Sequence, residues 1–116
     1  MTPDIQSPNL ELKLAAMKYL VSADPKAAIP VLTEALTDTH WEVRLVSLHR
    51  LGVLQATHAI PQIVACLKDP ETWVRISAAE ALKNLGKQGE EALKAHGKNL
   101  DLISFDIKQH IANTLW

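Results

Sequence analysis

Cysteine occurs only once in the 116 residues, at Cys66. One thiol can close no internal disulfide and supplies no multi-thiolate metal site, so the chain reads as cytoplasmic. Aromatic residues make up just 4%, while Leu and Ala dominate, and this composition leans helical. Neither sign of charge is in excess: 12 basic and 13 acidic side chains leave a net charge of −1. A protein that tracks a phosphate backbone needs a basic surplus, so nucleic acid is not an expected partner. No apolar run approaches the roughly 20 residues of a membrane helix. Residues 1–9, with Pro3, Asp4 and Pro8, hold neither the basic nor the apolar region of a leader. They read as a flexible extension ahead of a folded unit over 10–116. Hydrophobic residues at 47% and charged residues at 22% exclude disorder.

What is present is a repeat. Asp38-Thr-His-Trp-Glu-Val43-Arg44 lies over Asp69-Pro-Glu-Thr-Trp-Val74-Arg75 at an offset of 31 residues. The same offset carries Ala28-Ile29-Pro30 onto Ala59-Ile60-Pro61, Leu32 onto Ile63, Leu36 onto Leu67, and Leu51 onto Leu82. Toward the N-terminus it brings Leu12-Lys13 under Val43-Arg44. Toward the C-terminus the shift grows to 33 and aligns Ile107-Lys108 with Val74-Arg75. Fixed self-similarity of this length is the mark of a stacked array.

Each unit reads as two helices. Ile29, Leu32 and Leu36, and likewise Ile60, Ile63 and Leu67, fall at helical spacing. Pro30 and Pro61 fit the first turn, where a missing N–H costs little. A second helix follows each turn aspartate, and Gly86 suits a C-cap. The pattern predicts helices over 10–22, 25–37, 41–54, 58–68, 72–85, 89–98 and 104–116. The expected fold is an all-α solenoid of three to three and a half helical hairpins, about seven helices.

The run of Asp, four residues, Val-Arg, Leu-Gly, Ala-Ile-Pro, Leu and Asp resembles the HEAT repeat, in the short HEAT-like variety of phycobilisome lyases. The stretch from Asp38 to Asp69 matches that pattern most fully, Asp69 to Gly86 well, and the flanking copies are degenerate. The resemblance covers residues 10–116 and implies a fold. It leaves function open, because such repeats serve scaffolds, adaptors, lyases and glycosylase-like enzymes. It also implies that Arg44 and Arg75 join Asp38 and Asp69 in a structural ladder tying each repeat to the next, rather than forming an anion site.

In stacks of this kind the second helices line the concave face. Two places after the valine stand Leu14, Leu45 and Ile76, beside Ala15, Val46 and Ser77; one place before it stand Glu11, Glu42 and Trp73. We therefore expect an apolar stripe with an acidic rim on that face, made by Glu42, Leu45, Val46, His49, Trp73, Ile76, Ser77 and Glu80. Such a stripe suits a protein or peptide partner; the alternative is that tight curvature, or a helix phase one residue off, buries these aliphatics inside the stack. Trp73 is the stripe's anchor, while Trp41 is expected to pack against a loop and Trp116 to end the last repeat or dock on a neighbour.

Signs of chemistry are sparse. His40, His49, His58, His96 and His110 lack the spacing of a zinc site, and Gly86-Lys-Gln-Gly89 lacks the partners of a nucleotide cradle. His49 and Glu80 stand at equivalent points of adjacent repeats and read as a surface contact before an acid–base couple. Cys66 sits on an apolar face as an inert thiol. The expectation is a non-catalytic adaptor, scaffold or assembly chaperone without cofactor or metal, monomeric or weakly dimeric end to end. A subunit or relative of a bilin lyase or other enzyme-maturation factor is the alternative, and a nucleic-acid module comes third.

Overall fold

Asn9 opens the first helix of the computed structural model, which describes residues 9–96. Its side-chain oxygen accepts the Leu12 backbone N–H at 3.2 Å, satisfying one of the orphan donors of a helix start. Helix α1 (Leu10–Ala23) ends at Asp24, whose carboxylate at once caps α2 (Pro25–Glu34) through the Ala27 N–H. One residue thus ends one helix and starts the next, which forces an antiparallel hairpin. Helix α2 closes in a 3₁₀ turn over Ala35–Thr37. Then come α3 (Trp41–Val53), α4 (Ile60–Ala65) between 3₁₀ turns at Thr57–Ala59 and Cys66–Lys68, α5 (Thr72–Asn84) and α6 (Gly86–His96). Among the described residues there are six helices and no strand.

The helices form two layers. Helices α1, α3 and α5 stack side by side, with α3 against α5 as the most extensive packing, and α2, α4 and α6 cover them from one side. The periodic positions explain this. Met17, Leu32, Leu48, Leu51, Ile63 and Leu82 are fully buried, as are Val43 and Val74. Each such side chain contributes about 1.5–3 kcal/mol on leaving water. This is an all-α solenoid, as the repeat requires.

Several boundaries differ from the pattern. The segment 58–68 has only six residues of α-helix, because tighter 3₁₀ turns take both ends and no side chain caps its start. Pro61 lies in its first turn, but Pro30 lies inside α2, because Pro25 starts that helix a full turn earlier. Helix α6 begins at Gly86 rather than residue 89. The segment 104–116 and most of the extension 1–9 fall outside the described residues.

The turn after α3 repeats after α5 with different chemistry. Gln55, at φ 57°, is left-handed, and so is Gly86 at φ 75°, one repeat later. After α3, Gln55 N–H donates to the Gly52 carbonyl at 3.2 Å and Ala56 N–H to the Leu51 carbonyl at 3.0 Å, the two bonds of a Schellman cap. Glycine takes this conformation without cost, whereas glutamine does not. Gln55 offsets the strain with its side-chain amide, which donates to the Gly52 carbonyl at 3.0 Å and the Asn84 carbonyl at 2.7 Å. The second bond crosses to α5, so the turn also fastens two repeats.

Candidate partner-binding face

The ladder sets the register of the stack. Asp69 Oδ1 accepts the Glu71 N–H at 2.9 Å, holding the turn before α5. Arg44, one repeat earlier, donates through Nε to Asp69 Oδ2 at 2.8 Å and through Nη2 to Oδ1 at 3.0 Å. Its Nη1 donates to the Asp38 carbonyl at 2.8 Å, so one planar guanidinium joins two turns. The Asp69 hydrogen bonds raise the Arg44 pKa above its ordinary value. Asp38 makes the same turn through the His40 N–H at 2.9 Å, and its cation is Lys13, at 2.8 Å. Burial disfavours the Asp38 carboxylate, but hydrogen bonds from Lys13 and His40 outweigh it and hold its pKa below the usual range. Arg75 donates to the Asp69 carbonyl at 2.6 Å and to Thr72 Oγ1 at 2.9 Å. The residues one repeat further along lie outside the described residues. Arg44 thus meets the Asp69 carboxylate, whereas Arg75 bonds to a backbone carbonyl and a hydroxyl of its own turn.

Positions four, seven and eleven residues apart share one side of a helix. On α3 the side turned away from the covering layer carries Glu42, His49 and Val53, with Val46 buried between them; on α5 it carries Trp73, Glu80 and Asn84, with Ser77 buried between them. Helix α1 continues the rows with Glu11, Ala15, Lys18 and Ser22. Glu42, His49 and Glu80 are partly exposed, while Val53 and Trp73 are exposed. This mixed polar surface with a tryptophan and a valine is the open face of the second-helix layer. Partial burial, with Arg50 beside it, lowers the His49 pKa, so the imidazole is neutral near pH 7.

The expected aliphatic stripe is corrected here. Leu45 and Ile76 are each only 2% exposed, and Val46 and Ser77 are buried as well. Helix α3 is flanked by α1 and α5 and covered by α2, so a row one residue aside from the open one is enclosed. The repeat held the signal. Leu14, Leu45 and Ile76 are aliphatic in three successive copies, which marks a core register. The open row changes type within the array, from Glu11 and Glu42 to Trp73. Val53 and Asn84 belong to the face and were missed on that ground. Trp41, expected to pack against a loop, is 37% exposed, the same as Trp73.

Among the described residues no group of His, Cys, Asp and Glu is arranged to hold a metal ion. The Cys66 thiol is buried, and burial pushes its pKa up to about 11, so it is a protonated core group. Gly89 belongs to packing: a Cβ there would strike the Leu82 carbonyl, so α6 lies directly against α5. On the opposite side of the molecule an open groove between α2 and the start of α4 is lined by Ile29, Pro30, Thr33, His58 and Gln62 among others.

Paired antiparallel helices, a two-layer stack and an aspartate ladder passed from repeat to repeat define an α-solenoid. The family model for HEAT repeats matches residues 5–83 and 38–95, and the chain belongs to the HEAT-repeat family. It is similar to an uncharacterized phycocyanin operon protein Y of Pseudanabaena tenuis (strain PCC 7409), with 32% identity over 98 residues. That match covers 80% of this chain and 23% of the relative, so the chain spans about a quarter of that protein's length. No solved structure matches the chain. No helix among the described residues is long and apolar enough to cross a membrane.

Proposed function

We propose that the chain is a non-catalytic protein-interaction module that receives a protein or peptide on the open face of α3 and α5. HEAT repeats generally mediate protein–protein interaction, which supports the class. The observation that carries the reading is Trp73, an exposed aromatic on a helix face whose other members are Glu42, His49, Val53 and Glu80. A rigid indole with a polar surround is the composition of an interface anchor. The face is acidic on balance, which disfavours nucleic acid. We place the module in the cytoplasm, working without cofactor.

The test is affinity purification of the tagged full chain from its native cell, with identification of the protein retained. Trp73→Ala combined with Val53→Glu alters only exposed side chains. It should keep the helical circular dichroism signal and lose the retained protein. Retention of the same protein by the folded variant overturns this reading.

A second reading rests on the phycocyanin operon relative. In it the module assists assembly or maturation of a bilin-carrying client, as a subunit or relative of a HEAT-like lyase would. Co-purification of a phycocyanin subunit, or of visible absorbance that survives washing, selects this reading over a general adaptor.

A further inference from the structure

The two exposed tryptophans stand on one seam. Gly52 of α3 lies so near α5 that a Cβ there would sit 3.3 Å from Ala81 Cα and 3.6 Å from Asn84 Cβ. Trp41 precedes Gly52 by eleven residues, and Trp73 precedes Asn84 by eleven. Each tryptophan therefore shares the side of its helix that this contact marks. Both stand in a first turn, Trp41 opening α3 and Trp73 second in α5. The seam is shut by glycine at one end and flanked by two indoles at the other, and between them Leu45, Leu48 and Ser77 are buried. Each tryptophan keeps 37% exposure, and neither ring makes a ring contact among the described residues. The walls of the seam, α3 and α5, are the most extensively packed pair, so the site lies within the array.

The charge beside the indoles selects the occupant. Glu42 follows Trp41 and is the repeat equivalent of Trp73, so it stands at the same level on the open side of α3. Its carboxylate is without hydrogen bond or ion pair among the described residues. The open rows of α3 and α5 hold a second carboxylate, Glu80, and neither lysine nor arginine. We propose that Trp41 and Trp73 receive an arginine side chain of the partner, its guanidinium stacked on indole and its N–H groups directed to Glu42. The assignment rests on the open face being the partner-binding one and adds which side chain that partner presents. A guanidinium is planar and weakly hydrated, lies flat on a tryptophan ring and offers a fork of donors to a carboxylate. A lysine ammonium is more strongly hydrated and has no such fork. An apolar side chain would fill the slot but desolvate Glu42 without a partner, and a glutamate would bring like charge to it. Glu42 also offsets the positive end of the α3 dipole, which would otherwise disfavour a cation there.

Titration of the isotope-labelled full chain tests this by NMR, read on the indole Nε1–H signals of Trp41 and Trp73, which Trp→Phe variants assign. The probe is a short Gly/Ser peptide with two arginines. Both signals should move together and saturate with a Kd of about 1 mM, as a single small contact allows. The same peptide with citrulline, which keeps the shape and loses the charge, should move neither, and nor should one with glutamate. The lysine peptide should bind about threefold more weakly than the arginine one. Trp73→Ala should weaken arginine binding about tenfold and Glu42→Gln about threefold, and added salt should act in the same direction. Glu42→Gln alters one partly exposed group, so it decides the matter even if a tryptophan variant fails to fold. Three results overturn the proposal: neither indole moves, the citrulline or glutamate peptide moves them as far, or Glu42→Gln binds like wild type. Lysine binding as tightly as arginine overturns the choice of guanidinium. If Trp73→Ala with Val53→Glu releases the native partner while the arginine peptide moves neither indole, the arginine site falls and the partner-binding face stands. Retention of that partner by the folded variant overturns the face itself, so the two failures are told apart.

Discussion

The turn before α3 and the turn before α5 share one backbone plan and differ in nearly every side chain that holds it. Both place an aspartate just ahead of the helix, with Oδ1 accepting the N–H two residues on, at 2.9 Å in each. At the first turn the cation is Lys13, making one bond to Asp38, whose other oxygen lies 3.2 Å from His40 Nδ1. At the second it is Arg44, bonded to both oxygens of Asp69 and also to the backbone of the preceding turn. The Asp69 side chain is only 8% exposed, against 16% for Asp38. The comparison teaches that the aspartate's own turn is the constant and the cation the adjustable part. The guanidinium goes with the more enclosed aspartate and the ammonium with the more exposed one.

Arg44→Ala should therefore be the most damaging change, at about 3 kcal/mol. It leaves a nearly buried carboxylate without its cation and frees the Asp38 carbonyl as well. Urea denaturation of wild type and variant measures it, and a loss no greater than that of Lys13→Ala would dissolve the contrast between rungs. Lys13→Ala should cost about 1–1.5 kcal/mol, because it removes one charge-assisted bond from a carboxylate that keeps its turn and His40.

Acid acts on the Asp38 rung. The folded pKa of Asp38 lies below its unfolded value, so its contribution is complete above about pH 4 and is lost as pH falls through the folded pKa. The gap in stability between wild type and Lys13→Ala should thus shrink between pH 5 and pH 3. An unchanged gap at the two pH values would show that Lys13 acts through packing of its methylenes instead of its charge.

The smallest effect belongs to the two left-handed turns. Gln55→Gly removes strain and two side-chain bonds together and should fall within about 0.5 kcal/mol of wild type. Gln55→Ala keeps the strain, loses the bonds, and should cost about 1–2 kcal/mol. Equal melting temperatures for the two variants would mean that the bond to the Asn84 carbonyl contributes nothing to holding the repeats together.

Much of this architecture was legible in the residues. The offset between Asp38 and Asp69 located the turns, the spacing of Leu32, Leu36, Ile63 and Leu67 located the first helices, and Val43-Arg44 with Val74-Arg75 located core and ladder. Boundaries were less legible where two signals competed. Pro30 marks a helix start by type, yet Asp24 and Pro25 supply a better one five residues earlier. Residues 58–68 have helical periodicity throughout, yet the tight turn at Gln55 and the uncapped start leave only Ile60–Ala65 as α-helix.

The partner-binding face was half legible, and the reason is geometric. Of the residues expected there, Glu42, His49 and Glu80 are partly exposed and Trp73 is exposed. Leu45 and Ile76 were assigned there as an aliphatic stripe repeating one repeat apart, and they belong to the core. One hydrophobic period describes a helix with one buried side. Helix α3 has neighbours on three sides, and nothing in its own residues says how wide the remaining open sector is. The chain by itself determined the repeat, the helices, the ladder residues and the order in which the helices stack. Only the tertiary structure decided which rows of α3 and α5 stay open, because that depends on how closely neighbouring helices approach and not on any helix's own pattern.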